Sequence, residues 1–195
     1  GISFREYLHE ESQPGSIKSN TVRSLFCDRE SRLWVGFING MQCYDRNRDE
    51  FLEVSFDTTP YTPNISSIIQ LSSGEIWTIA SLLGPYSIDT ENMTASALVD
   101  LIRLCGTNNI TSIYEDNERR LWVSTYNKGV VCIDPSHTKV IDRYFENEEP
   151  TLSCKITQSL DNIIIMALND RLWRFDEAND SFIELTRQEE ADLEE

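Results

Sequence analysis

Ser112-Ile-Tyr-Glu-Asp-Asn-Glu-Arg-Arg-Leu-Trp-Val-Ser-Thr-Tyr-Asn-Lys-Gly-Val-Val-Cys-Ile-Asp134 contains an apolar strand, a polar turn, Leu-Trp, a gap to Gly and a second apolar strand that closes on Asp. The same order recurs from Ser24 to Asp45, from Ser67 to Asp89 and, in a worn form, from Lys155 to Asp176. Aligned on Trp34, Trp77 and Trp122, with Ile164 in the fourth place, the copies are spaced by 43, 45 and 42 residues. The closing residues Asp45, Asp89, Asp134 and Asp176 give steps of 44, 45 and 42. Two landmarks keeping one period identify an internal repeat, and these seven residues are its structural markers.

Within each copy the apolar residues alternate and are rich in β-branched and aromatic types, which is strand spacing and not helix spacing. Strand a is expected at Val22–Cys27, Ile65–Gln70, Ile110–Glu115 and Leu152–Thr157, followed each time by a polar turn led by Asp28, Ser72, Asp116 or Ser159. Strand b carries the Trp, and strand c runs Met41–Tyr44, Tyr86–Ile88, Val130–Ile133 and Leu172–Phe175. Strand d is expected at Phe51–Phe56, Ala95–Leu101, Val140–Phe145 and Phe182–Leu185, although the Ala97–Leu104 spacing also fits a helical turn. Four short antiparallel strands per repeat define a β-propeller blade, whose faces are buried only by stacking on neighbours. The fold class is therefore all-β: four four-stranded antiparallel blades forming a partial or open propeller. The boundaries follow as residues 1–8, the outer strand of a preceding blade; 9–57, blade 1; 58–104, blade 2; 105–146, blade 3; 147–186, blade 4; and 187–195, an acidic tail.

The 33 acidic residues outnumber the 17 basic ones, for a net charge of −16. That balance excludes a general role on nucleic acid or anionic membrane and favours neutral or cationic partners. No apolar run is long enough to span a bilayer. The start, Gly1-Ile-Ser-Phe4, has no basic-apolar leader and reads as a boundary inside a longer protein. Cys27, Cys43, Cys105, Cys132 and Cys154 form no Cys-x-x-Cys pair and have no His at ligand spacing, so neither a metal nor a redox centre is expected. His9 and His137 have no convergent acid and nucleophile, and nucleotide-binding glycine motifs are absent. No catalytic residue and no cofactor are expected.

Val22 to Asp45, with Asp28 opening its turn, then Leu33-Trp-Val-Gly36 and a closing Tyr44-Asp45, resembles the two-component regulator propeller repeat. Ile113 to Asp134 matches nearly as well, with Ser124-Thr125 where Gly-Thr is usual. The second copy lacks the turn Asp, and the fourth keeps only framework positions. The resemblance implies the periplasmic sensor region of a hybrid two-component histidine kinase of the Bacteroides type. Its members place large propellers ahead of a membrane helix and sense glycan breakdown products.

Propeller topology gathers the d-to-a and b-to-c loops on one face. Sugars are held by flat aromatic faces beside amides and charged groups. Tyr61, Tyr126, Asn127, Lys128 and Asn39 are the expected ligand contacts, and an oligosaccharide the expected partner. The recurrent Trp residues are packing devices in this reading, and Asp28 and Asp116 are turn formers. The expected function is a non-enzymatic, extracytoplasmic ligand-sensing segment. The alternatives are a protein-interaction or dimerisation scaffold, which self-associates or packs on neighbouring blades of a longer chain, and a propeller glycosidase or lyase.

Overall fold

The computed structural model describes residues 4–57, 61–146 and 154–186. The predicted tail, 187–195, and parts of three expected segments (the outer strand 1–8, blade 2 at 58–60, and blade 4 at 147–153 with the start of its first strand) fall outside them. Four sheets follow one another along the chain, built from β1 (Ser24–Cys27), β2 (Leu33–Phe37), β3 (Gly40–Asp45) and β4 (Glu50–Glu53) in blade 1, and β6 (Ile65–Gln70), β7 (Ile76–Ala80), β8 (Gly84–Asp89) and β9 (Thr94–Ala97) in blade 2. Between them lies the two-residue β5 (Ser55–Phe56). After helix α1 (Val99–Cys105) come β10 (Ile110–Glu115), β11 (Leu121–Thr125), β12 (Val130–Ile133) and β13 (Val140–Tyr144) in blade 3. Blade 4 holds β14 (Cys154–Gln158), β15 (Ile164–Leu168), β16 (Arg171–Asp176) and β17 (Ser181–Glu184). The four strands of each blade pair antiparallel in chain order, and the chain divides into two compact units, Gly1–Leu98 and Val99–Glu195.

One turn joins the first two strands in all four blades. Its leading N–H donates to the carbonyl four residues on, from Asp28 to Arg32, Leu71 to Glu75, Asp116 to Arg120 and Ser159 to Ile163. The third residue after each leader, Ser31, Gly74, Arg119 or Asn162, has positive φ. This register corrects the fourth marker. Phe26, Ile69 and Tyr114 lie opposite Trp34, Trp77 and Trp122, and Thr157 lies opposite Ile165, so Ile165 and not Ile164 occupies the Trp position. With no Trp in its second strand and Ser159 where the turn-leading Asp would be, the fourth copy's run Ile163-Ile164-Ile165 left its own register ambiguous. The closing residues accept backbone N–H groups of the outer turn: Asn47 and Arg48 donate to Asp45, Glu91 and Asn92 to Asp89, Thr138 and Lys139 to Asp134, and Ala178 to Asp176.

Asp28 and Asp116 do more than form turns. In Asp116, Oδ2 accepts from Trp122 Nε1 (2.8 Å) and Arg120 Nε (2.7 Å), while Oδ1 accepts the N–H groups of Glu118 and Arg120 (2.9 Å each). Asp28 repeats this with Trp34 Nε1 (2.9 Å), Arg32 Nε (2.6 Å), and the N–H groups of Glu30 and Arg32. Each Arg also lies 5.5 Å from the centre of its Trp ring. A carboxylate removed from water is tolerated where a cation and several donors compensate it.

In the first unit, Trp34, Met41 and Cys43 pack with Ile65, Ile68, Ile76 and Tyr86 of blade 2. The opposite face of blade 1 is covered near its outer strands, where Val35, Phe37 and Phe51 pack with Ile17, Tyr7 and Tyr44. Phe4–Leu8, read as the outer strand of a preceding blade, forms no strand here; Tyr7 instead shares Asp49 Oδ1 with Tyr44. The expected fourth strand Phe51–Phe56 is divided. Val54 turns inward and donates its N–H to Met41, and Ser55–Phe56 pairs parallel to β9, adding a fifth strand to blade 2.

In the second unit, α1 replaces the tail of the strand expected to reach Leu101. Leu101 and Cys105 bury one face, Gly106 N–H bonds the Ile102 carbonyl, and Arg143 donates to the Leu104 and Cys105 carbonyls at the negative helix end. Trp122 packs with Cys154, Ile156, Met166 and Phe175 of blade 4, its ring 4.9 Å from that of Phe175.

Asp116→Ala leaves the buried Trp122 indole N–H without its acceptor and takes from Arg120 one of its three carboxylate partners, and is expected to cost about 1–3 kcal/mol, read by chemical denaturation; Asp134→Ala, at an exposed turn, should cost clearly less.

The acid response has a defined sign. Burial alone raises the Asp28 carboxyl, but hydrogen bonds from Trp34 and Arg32 outweigh it and hold it below the ordinary 3.8. The Ser136 hydroxyl and the Lys139 N–H lower Asp134 to about 2. Depressed carboxylates stabilise the fold fully above their unfolded values and lose that contribution as pH falls through the folded ones. Stability measured against pH should therefore fall between about 4 and 2, and a melting temperature constant across that window contradicts this.

Candidate functional site

The expected ligand contacts fall on loops at one end of the strands. Tyr126, Asn127 and Lys128 form the loop between β11 and β12. Thr125 fixes its shape: its hydroxyl donates to the Gly129 carbonyl and accepts the Lys128 N–H (2.9 Å each), and Tyr126 N–H bonds the Asn109 carbonyl. Gly129 closes the loop at φ 66°, where a Cβ would run into the Tyr144 carbonyl oxygen. The result is a half-buried Tyr126 ring beside an exposed amide and an exposed cation.

Asn39 and Tyr61 belong to the first unit. Asn39 is exposed on the two-residue turn between β2 and β3. The loop before β1 is tied down by the buried Gln42, whose Oε1 accepts the Lys18 N–H (2.7 Å) and whose Nε2 donates to the Ser16 carbonyl. Lys18 Nζ pairs with Glu53 close to Gly40. Tyr61 is exposed and stands two residues before the buried Pro63. Of the five residues, the structure brings together the three on the Tyr126–Lys128 loop.

The sequence reading missed a second concavity. At the opposite, turn end of blades 3 and 4, a cleft of about 300 Å³ has amides and carboxylates on its rim, among them Asn117, Glu118, Asn162 and Glu177, over Ile164 and Phe175. Asn117 is held there by Gln158, which accepts its N–H (3.0 Å), while its amide donates to Asn162 Oδ1 (2.5 Å). The only advance signal was the recurrence of Gln at the end of a first strand, Gln70 and Gln158.

Among the described residues no group of His, Cys, Asp and Glu is arranged to hold a metal ion. His9 Nδ1 is engaged with the Ile17 carbonyl (2.8 Å). Burial raises the thiols of Cys43, to about 11, and of Cys105 and Cys132, to about 12, and it raises Cys154 too. A protonated, enclosed thiol is a poor nucleophile. Cys27 alone of the five is exposed.

The family described as two-component regulator propeller matches residues 16–39 and 106–127, which lie in blades 1 and 3, the two that carry the Asp–Arg–Trp arrangement. No curated protein matches the chain significantly. Among solved structures, the extracellular domain of BT4673 from B. thetaiotaomicron, assigned as a hybrid two-component system, is 20% identical, with a TM-score of 0.71 over 92% of this chain and 26% of that one. The corresponding domain of BT3049 from the same organism is 19% identical, with a TM-score of 0.70 over 96% and 25%. A virginiamycin B lyase from Staphylococcus aureus is 12% identical, with a TM-score of 0.62 over 87% and 57%. The chain thus spans about a quarter of the length of the two extracellular domains. It has the β-propeller fold, and segments of blades 1 and 3 match the two-component regulator propeller family.

Native thiol labelling should modify Cys27 alone, with the other four reacting only after unfolding. Rapid native modification of Cys43, Cys105, Cys132 or Cys154 would contradict the burial described.

Proposed function

We propose that this chain is a non-enzymatic ligand-sensing segment of a periplasmic two-component sensor and that its ligand is a neutral glycan fragment. The observation that carries the reading is the family match on blades 1 and 3, and the fold shared with extracellular sensor domains supports it. No helix among the described residues is long and apolar enough to cross a membrane, in keeping with a segment lying outside the bilayer.

The loop chemistry suits such a ligand. The Tyr126 ring offers a surface for sugar C–H groups, and Asn127 and Lys128 offer donors to hydroxyl oxygens. Thr125 and Gly129 hold the loop in shape before a ligand arrives, which lowers the entropy lost on binding. Among the described residues, burial keeps Cys43, Cys105, Cys132 and Cys154 protonated and His9 is engaged with the Ile17 carbonyl, so the reading favours binding over turnover. The net charge of −16 opposes sulfated or uronate-rich glycans.

Calorimetry against a panel of neutral oligosaccharides should give saturable binding, weakened about tenfold or more, roughly 1.4 kcal/mol, by Tyr126→Ala or Lys128→Ala. Heparin should bind poorly at low salt, where repulsion is least screened. Tight salt-sensitive heparin binding, or binding indifferent to both substitutions, would overturn the proposal.

A further inference from the structure

We infer that Asn39 is a site of spontaneous deamidation: its side-chain amide is lost as ammonia to attack by the backbone nitrogen of Gly40, leaving a carboxylate on the turn between β2 and β3. Asn39-Gly40 is the only Asn-Gly pair in the sequence, and Asn39 is exposed. The turn itself requires the glycine. Gly40 has φ 137°, a conformation that side chains rarely adopt, and a Cβ there would lie 3.1 Å from Lys18 Cε and 3.3 Å from Glu53 Oε1. The missing Cβ also leaves the Gly40 nitrogen open to the preceding side chain. The residue that lets the chain turn thus makes the amide before it labile.

The reaction needs only water. The Gly40 nitrogen gives its proton to water or hydroxide and attacks Asn39 Cγ; the N–Cγ bond forms, the Cγ–Nδ2 bond breaks, and Nδ2 takes a solvent proton and leaves as ammonia. Water then opens the cyclic imide at either carbonyl. Breaking the N–Cγ bond gives aspartate, and breaking the bond to the main-chain carbonyl gives isoaspartate, with the backbone routed through the side chain. Lys18 Nζ stands 3.2 Å from where a Gly40 Cβ would lie, and a nearby cation favours the anionic form of an ionising group. Glu53, which pairs with Lys18, offsets part of that help. Gly40 is also buried and paired with Phe37 across the turn, so the folded protein reacts more slowly than the unfolded chain.

Other exposed asparagines lack this arrangement. Asn47, Asn92 and Asn127 are followed by Arg48, Met93 and Lys128, each of which places a Cβ beside the attacking nitrogen. The Asn92 amide is in addition held by Asp89 Oδ2 (2.8 Å). At Asn39 the products also have structural consequences. Isoaspartate lengthens a two-residue turn whose register pairs the fully buried Phe37 with Gly40. Either product replaces an amide among the expected ligand contacts by a negative charge.

The test is incubation of the full chain, folded and in denaturant, at neutral and mildly alkaline pH, followed by peptide mapping with mass spectrometry and enzymatic methylation of isoaspartate. In the folded protein Asn39 should convert first, about tenfold or more faster than Asn47, Asn92 or Asn127, roughly 1.4 kcal/mol in barrier, with isoaspartate appearing at that position. The rate should rise with pH, because the attacking nitrogen must lose a proton, and rise again in denaturant, where the turn no longer restrains it. Asn39→Gln, which must close a larger ring, should show no conversion at that position over the same time. Asn39 remaining intact in the folded protein, conversion falling first on another asparagine, or equal conversion in the Gln variant overturns the inference.

Discussion

A buried carboxylate holding an indole N–H and a guanidinium is the interaction on which each two-blade unit depends. Asp28 and Asp116 sit at the turn between the first and second strands, and from there they fix three things together. Their Oδ1 atoms close the turn, their Oδ2 atoms orient the Trp, and the neighbouring Arg supplies the countercharge that makes burial tolerable. The oriented Trp presents the apolar face onto which the next blade packs. Blades 2 and 4 close the same turn by other means. Leu71 buries a side chain where the Asp would be, and the Ser159 hydroxyl accepts the Ile163 N–H. Each unit thus joins one blade with a charged hub to one without.

Blade-to-blade contact follows from that arrangement and adds a repeated polar link. The residue after each Asp donates its backbone N–H to a Gln at the end of the next blade's first strand, and the Gln amide returns to its own turn at Gly74 or Asn162. The link satisfies polar groups that packing would otherwise leave unpaired. It also ties the turn of one blade to the turn of the next, so the two hubs' influence extends into blades that lack one. The thiols fit the same picture. Cys43, Cys132 and Cys154 fill space at these apolar faces, and burial keeps them protonated and inert.

For the candidate site, the division of labour lies between framework and loop. Thr125 and Gly129 are framework residues that shape the Tyr126–Lys128 loop; the three side chains they present carry the proposed chemistry. Residue type and position in the repeat were enough to nominate that loop. They gave no view of the cleft at the turn end, because Asn117, Gln158 and Asn162 converge there from segments about 41 to 45 residues apart.

The sequence by itself determined the repeat, the blade count, the position of most strands and the closing Asp residues, because strand alternation and turn chemistry act within a few residues. Tertiary structure decided the rest. It gave Asp28 and Asp116 their indole partners, moved the fourth Trp position to Ile165, passed Ser55–Phe56 from one sheet to the next, and folded Val99–Cys105 into a helix capped by Arg143. Each of these depends on which groups meet across a turn, a sheet or a blade boundary, where hydrogen-bond satisfaction and burial outweigh the local preference of the chain.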